Sequence, residues 1–147
     1  MNDFELTVEK DWIVFEPSSK YGDEYPLKEE TYRILGCCFE VYNTLGRGFL
    51  EVIYKDALEI EFQLAGIPYE REKPFPVFYK DFTLKRKYNA DFVVFGNIIL
   101  EAKAISGIID THYELVLNYL TVSKCPIGLI VNFGDSSLKY KRVVKTK

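Results

Sequence analysis

Apolar side chains recur every three to four positions over two successive stretches in the first half of the chain. This spacing predicts one long helix over residues 27–45 and a second over residues 49–65. Gly46-Arg47-Gly48 separates the two stretches, and Gly66 marks the end of the second helix. Because no Lys-Ser or Lys-Thr pair follows these glycines, we interpret them as a turn between helices and not as a phosphate-binding loop.

The rest of the chain shows short apolar runs and alternating patterns that are typical of strands. We expect strands over residues 69–79, 83–88, 90–94 and 98–103, a helix over 111–123, a buried strand over 127–133 and a final edge strand over 139–144. Pro74 and Pro76 favour an edge or bent position for the first strand. A strand–helix–strand crossover joins parallel strands, so the sequence predicts an α/β fold with a mixed central β-sheet flanked by helices.

Two carboxylates and an ammonium group interrupt an otherwise apolar hairpin, in which Asp91 precedes Glu101 and Lys103. Buried charges are costly unless they are paired, and two neighbouring carboxylates repel each other unless a cation compensates them. A divalent cation is the usual solution, and a lysine beside it can stabilise an anion or orient a water. The pattern therefore indicates metal-assisted attack on a phosphodiester. The alternative is a sheet in which Lys103 forms a structural salt bridge with one acid.

The register of this hairpin decides whether the two acids meet. Side chains alternate along a strand, so Glu101 and Lys103 share one face. A two-residue loop would place Asp91 opposite Ala102, on the wrong face. A three-residue loop over residues 95–97 places Asp91 opposite Glu101, and Asn97 tolerates the left-handed conformation that the last loop position favours. We predict the three-residue register or an equivalent bulge.

Three further motifs accompany the hairpin in a fixed order. They are Gly48-Phe-Leu-Glu51-Val-Ile-Tyr54 before it, and Asn118-Tyr119-Leu120 and Gly128-Leu-Ile-Val-Asn132-Phe133 after it. Together they resemble the GxxExxY proteins, a group placed in the PD-(D/E)XK nuclease superfamily, over roughly residues 27–144. The resemblance implies a restriction-endonuclease-like core and a metal-dependent nuclease, with DNA as a more probable substrate than RNA.

The resemblance also implies the site residues. Catalytic roles fall to Glu51, Asp91, Glu101 and Lys103, and a Mg²⁺ or Mn²⁺ ion would be held by Asp91, Glu101, Glu51 and the backbone carbonyl of Ala102. Glu51 also has a structural interpretation, since the helix dipole favours a glutamate in the first turn.

Four more residues are candidates for supporting the site: Tyr54, His112, Asn118 and Tyr119. His112 has an alternative role as a surface or helix-capping residue. The chain departs from the group at Leu115, where a glutamine is common, and at Tyr42, where a histidine is common. A lost glutamine would weaken activity, which favours the alternative function of a weak or inactive nuclease-fold protein that binds nucleic acid or another protein.

Charge is distributed unevenly along the chain. Residues 1–30 hold nine acids and three lysines, whereas the whole chain has a net charge of −3, so the remaining 117 residues carry a net +3. Basic clusters that could contact phosphates are Lys85, Arg86 and Lys87, and Lys139, Lys141 and Arg142. Lysines at a sheet edge are the alternative interpretation. We divide the chain into an acidic N-terminal extension of unknown role, residues 1–25, and a nuclease-like domain, residues 26–147.

Length and composition are consistent with this division. A chain of 147 residues, 48% of them hydrophobic, suffices for one domain with a single core. We find neither a signal peptide nor the run of about 20 apolar residues that a membrane span requires. Cys37, Cys38 and Cys125 lack metal-binding spacing and are interpreted as reduced thiols. These observations predict a cytoplasmic protein without a membrane partner, and a homodimer is compatible with them.

Overall fold

A computed structural model gives the fold, and it describes the backbone of residues 12–15 and all of residues 27–145. The predicted acidic extension therefore lies mostly outside the described residues. The helices are α1 (Lys28–Leu45), α2 (Glu51–Ala65) and α3 (Asp110–Ser123). The strands are β1 (Trp12–Phe15), β2 (Tyr69–Tyr79), β3 (Phe82–Val94), β4 (Ile98–Lys103), β5 (Ile127–Asn132) and β6 (Lys139–Lys145).

The described strands form one six-stranded sheet in the order β1-β6-β5-β4-β3-β2. β4 and β5 run parallel, joined by the α3 crossover, and the other neighbours are antiparallel. The predicted mixed sheet of an α/β fold is therefore confirmed, as is the edge position of the proline-containing strand β2.

Alternation along the central strands fills a core on each face of the sheet. Ile98 and Leu100 of β4 belong to the cluster packed by α1 and α2, whereas Ile99 between them belongs to the cluster packed by α3. A Cβ atom added to Gly128 of β5 would clash with Val116 Cγ1, so α3 packs directly on the strand at this glycine. Both faces of β4 are thus covered by helices, which buries the strand that carries Glu101.

Two expectations for the strands were wrong. The predicted segments 83–88 and 90–94 form the single strand β3, because the chain continues straight through Asn89 and pairs with β2 on both sides of it. The last strand, β6, is not an edge strand, because β1 pairs antiparallel with residues 142–145 on its outer side. Residues 12–15 thus add a sixth strand to the sheet.

None of the helices in the described part of the chain has the length and apolar composition needed to cross a membrane. Cys37 and Cys38 are buried on α1, and Cys125 is partly buried; all three are free thiols. Burial raises the pKa of both Cys37 and Cys38, which suits small apolar core residues better than reactive thiols.

Candidate active site

The hairpin between β3 and β4 has the predicted three-residue loop. Val94 pairs with Ile98, and Phe92 pairs with Leu100, so continuing the register places Asp91 opposite Glu101. The left-handed loop residues are Phe95 and Gly96, with φ of 56° and 71°, and the expectation that Asn97 would take this conformation was wrong. Glycine adopts positive φ without steric cost, and the Phe95 N–H is held by the Pro68 carbonyl at 2.9 Å.

The backbone ladder of this hairpin opens beyond Phe92, and side chains take over the hydrogen bonds. The backbone N–H of Asp91 donates to Glu101 Oε1 at 3.0 Å. The backbone N–H of Ala102 donates to Asp91 Oδ2 at 2.9 Å. Asp91 and Glu101 are only 7% and 3% exposed. The two carboxylates are therefore held side by side by reciprocal contacts, inside the sheet rather than at its surface.

The other oxygen of each carboxylate faces a lysine. Lys103 Nζ lies 4.0 Å from Glu101 Oε2, a long ion pair. Lys55 Nζ, on α2, lies 3.1 Å from Asp91 Oδ1 and 2.7 Å from Glu72 Oε1. Neither Lys55 nor Glu72 was predicted from the sequence as part of the site. Lys55 stands four residues after Glu51, one helical turn along the same face of α2, and that spacing was the available signal.

Glu72 reaches Lys55 because the edge strand is locally distorted. Glu72 has a left-handed φ of 53°, which a non-glycine residue adopts at a cost of roughly 1–2 kcal/mol. The β2–β3 register pairs the residues on both sides of Glu72 and skips Glu72 itself. Next to it, Arg71 pairs with Asp56 at 2.7 Å and Glu59 at 3.3 Å, which ties β2 to α2. No periodic pattern in the sequence encodes this distortion.

The electrostatics of the pair remain unbalanced in spite of the two lysines. Burial, followed by the negative charge of Asp91, raises the pKa of Glu101 to about 8. Burial lowers the pKa of Lys55, but the hydrogen bond to Glu72 and the charge of Asp91 together outweigh it and leave that pKa raised. Ionising both carboxylates at neutral pH is therefore costly, and one more cation would relieve that cost.

The carboxylates of Asp91 and Glu101 are suitable ligands for a divalent cation, but the two alone do not form a complete ligand set. Two adjacent carboxylates with excess negative charge are the ligands that Mg²⁺ and Mn²⁺ prefer. Within residues 27–145, however, no three His, Cys, Asp or Glu side chains are grouped closely enough to hold a metal ion. Glu51, half-buried as the first residue of α2, is thus not gathered with Asp91 and Glu101. Its position also suits the helix-dipole interpretation.

A family model for the PD-(D/E)XK nuclease superfamily matches residues 28–143, from α1 to β6. The chain belongs to the PD-(D/E)XK nuclease superfamily. The match includes the whole hairpin with Asp91, Glu101 and Lys103. No curated protein and no solved structure matches the chain. The resemblance to the GxxExxY group is a finer assignment, which stays a prediction.

Tyr54 has a structural position in this PD-(D/E)XK domain. Its hydroxyl donates to the Gly46 carbonyl at 2.7 Å and accepts the Phe49 N–H at 3.2 Å. Its ring stacks on Phe133, with centroids 4.6 Å apart. Tyr54 is fully buried by these contacts. It therefore fixes the turn from which α2 starts, and with it the position of Glu51.

The remaining supporting candidates lie on α3. His112 Nδ1 accepts the Ile109 N–H at 2.9 Å, so its side chain caps the start of the helix. The Tyr119 hydroxyl donates to the Asn89 carbonyl at 3.1 Å, and burial, then the charge of Glu101, raises its pKa. Tyr119 thus lies near the acid pair and holds β3 against α3. Asn118 is exposed on the same helix.

The candidate phosphate-binding residues differ in their exposure. Lys85, Arg86 and Lys87 are all exposed on β3, and Lys139 is exposed on β6. Lys141 is partly buried, and Arg142 is only 7% exposed with its guanidinium 5.2 Å from the centroid of the Tyr140 ring. The basic surface of the superfamily domain consequently does not include Arg142. The prediction for that residue was wrong, because a charge pattern does not reveal which face of β6 is covered.

Proposed function

We propose that this protein is a metal-dependent nuclease of the GxxExxY group that hydrolyses phosphodiester bonds, with DNA as the first substrate and RNA as the second. One observation carries the proposal: Asp91 and Glu101 lie buried side by side, with Lys103 next to Glu101, in a chain of a nuclease superfamily. A buried pair of like charges is costly and therefore marks a candidate site. A homodimer and a cytoplasmic location stay predictions of the sequence.

Asp91 and Glu101 would hold the ion, Mg²⁺ or Mn²⁺, and the backbone carbonyl of Ala102 is the proposed further ligand beside them. Glu51 stays a proposed ligand from the sequence, although this structure does not group it with the acid pair. When bound, the ion supplies Lewis-acid chemistry, stabilising the charge that develops on the phosphate and lowering the pKa of the attacking water. The two reciprocal backbone contacts support this role, since each fixes one carboxylate before any ligand arrives.

Lys103 would stabilise the phosphate itself. Its side chain is 19% exposed, compared with 4% for that of Glu101, so its ammonium group is closer to solvent than the acid pair. An ammonium group near a phosphoryl oxygen stabilises the negative charge that grows there as water attacks phosphorus and the P–O bond breaks. The 4.0 Å separation from Glu101 Oε2 leaves Lys103 only weakly engaged by that carboxylate.

The outer part of the β2–β3 hairpin, residues 76–87, supports a nucleic-acid substrate; we call it the hairpin arm. It carries four basic residues against one acid, Asp81. Phe78, Tyr79 and Phe82 are exposed on it at 65%, 59% and 70%. Basic residues that contact phosphates, together with aromatic rings on which bases stack, are typical of single-strand binding surfaces. Strand β3 leads from this arm directly to Asp91.

The experiment is a cleavage assay with purified protein on plasmid, single-stranded DNA and single-stranded RNA, in Mn²⁺, in Mg²⁺ and in EDTA. We expect metal-dependent products that are lost in Asp91→Ala and Glu101→Ala. Glu40→Ala, which removes an exposed acid of α1, is the matched control and should cleave like the parent. Cleavage that persists in EDTA or in both site variants would overturn the proposal.

A second candidate function is a nuclease-fold module that binds nucleic acid without cleaving it. Two observations favour it: Lys55 already neutralises Asp91 at 3.1 Å, and an apolar Leu115 stands on α3 where the GxxExxY group commonly has glutamine. The same assay separates the two functions, because the module would shift nucleic acid in a gel with or without metal and yield no products.

A further inference from the structure

Lys55 is placed where it competes for the acid pair. Its ammonium group lies 3.1 Å from Asp91 Oδ1, with side chains only 13% and 11% exposed. The other oxygen of Asp91 is taken by the Ala102 N–H. Oδ1 is therefore the oxygen of Asp91 that a second ligand would use. An ammonium group and a divalent cation cannot both lie against this oxygen, since their charges repel each other over a short distance in a poorly solvated site.

Glu72 provides a second position for the same lysine. Lys55 Nζ lies 2.7 Å from Glu72 Oε1, closer than it lies to Asp91. The Glu72 side chain is 51% exposed, so it can retain the ammonium group nearer to solvent. Its left-handed backbone, φ 53°, directs it to this contact at a conformational cost. The ion pairs of Arg71 with α2 hold the strand in place independently of Lys55.

We propose that Lys55 is a tethered cation that a divalent metal must displace from Asp91, and that Glu72 retains Lys55 after this displacement. Lys55 and Glu72 then set the metal affinity of the site without being ligands themselves. The inference rests on the proposed function, because it assumes that Asp91 binds the metal. It also gives a reason for the strained conformation of Glu72, which the proposed chemistry does not use.

The test measures Mn²⁺ affinity by calorimetry in the absence of nucleic acid. Removing the competing cation with Lys55→Met should tighten Mn²⁺ binding about tenfold, within the range typical of coupled sites. The matched control is Lys73→Met, because Lys73 forms an ion pair with Glu70 at 2.8 Å on the same strand as Glu72. Equal affinity of Lys55→Met and the parent, or an equal gain in both lysine variants, would overturn the inference.

Glu72→Gln tests the second half of the proposal in the opposite direction. Without the charge of Glu72, the ammonium group of Lys55 should stay on Asp91. Glu72→Gln should therefore weaken Mn²⁺ binding several-fold more than the control Glu70→Gln does. In a Lys55→Met background this extra loss should disappear. A loss that persists without Lys55 would mean that Glu72 acts by its charge alone, which contradicts its role as the retaining group.

These measurements separate the inference from the proposed function. Mn²⁺ binding that is lost in Asp91→Ala but is indifferent to Lys55 would overturn the inference and leave the nuclease proposal standing. Absence of Mn²⁺ binding in the parent and in Lys55→Met would overturn both. If Lys55→Met does not fold, the half-exposed Glu72 keeps the question decidable, since equal affinities of Glu72→Gln and Glu70→Gln would also overturn the inference.

Discussion

Replacing Glu101 with glutamine separates two contributions to the free energy of unfolding: the cost of burying the carboxylate charge and the stabilisation from its hydrogen bonds. Glutamine keeps an oxygen that can accept the Asp91 N–H, as Glu101 Oε1 does now at 3.0 Å. It removes the negative charge next to Asp91 and the weak ion pair with Lys103. The stability of the metal-free protein should therefore respond to this change mainly through charge.

The sign and size follow from the raised pKa of Glu101. Between its ordinary value of 4.5 and about 8, the folded state holds a proton that the unfolded state releases. Stability contributed by this group is present at low pH and is lost as pH rises through that interval. At about 1.4 kcal/mol per unit, the loss is on the order of 5 kcal/mol by pH 9. That is comparable to the whole stability of many domains.

The assay is urea unfolding of the parent and Glu101→Gln at pH 5, 7 and 9, with EDTA to remove divalent ions. The two proteins should have similar stability at pH 5, and the variant should be more stable by several kcal/mol at pH 9. Glu70→Gln, which removes an exposed carboxylate, controls for the change of charge. A variant that is less stable than the parent at pH 9 would contradict this expectation and favour a structural salt bridge between Glu101 and Lys103.

Three further predictions concern neighbouring parts of the molecule. Asp91→Asn should lower the stability of the metal-free protein by about 1–3 kcal/mol in urea unfolding, because it breaks the buried ion pair with Lys55. A variant more stable than the parent would contradict this prediction. A chain starting at Pro26 lacks β1, so it should have a lower melting temperature and should self-associate in size-exclusion chromatography. A truncated chain that stays stable and binds nucleic acid more tightly, with a stronger dependence on salt, would instead mean that residues 1–25 regulate binding electrostatically. Replacing Lys85, Arg86 and Lys87 with alanine should weaken nucleic-acid binding, and the slope of log binding constant against log salt concentration should become shallower by about 2–3. An unchanged slope in titrations at several salt concentrations would mean that the hairpin arm is not part of the binding surface.

The parts of the site that the sequence predicted depend on local geometry. Side-chain alternation and loop length were sufficient to place Asp91 opposite Glu101, because a one-residue slip would have turned one acid into the other face of the sheet. The buried strand around Ile99 and the parallel pair across α3 followed from the same kind of rule. Each of these features is decided by neighbours within a few residues or by a connection of known handedness.

The parts that escaped prediction depend on long-range contacts. Lys55 and Asp91 are 36 residues apart in the chain, and no local pattern brings them to 3.1 Å. The left-handed backbone of Glu72 and the burial of Arg142 likewise follow from packing against other elements. Arg142 shows the limit most plainly: its charge predicted a surface role, whereas pairing with β1 and β5 places it inside the sheet.

The proposed nuclease chemistry requires that Asp91 and Glu101 together bind one divalent cation. Titration of the parent, Asp91→Ala and Glu101→Ala with Mn²⁺, followed by electron paramagnetic resonance of the free ion, tests it without reference to any substrate. If the acid pair binds the ion, the parent should bind one Mn²⁺ per chain and each variant should lose it, with Glu40→Ala binding like the parent. Equal Mn²⁺ binding by all four proteins would contradict this role of the acid pair and would place any metal outside this hairpin.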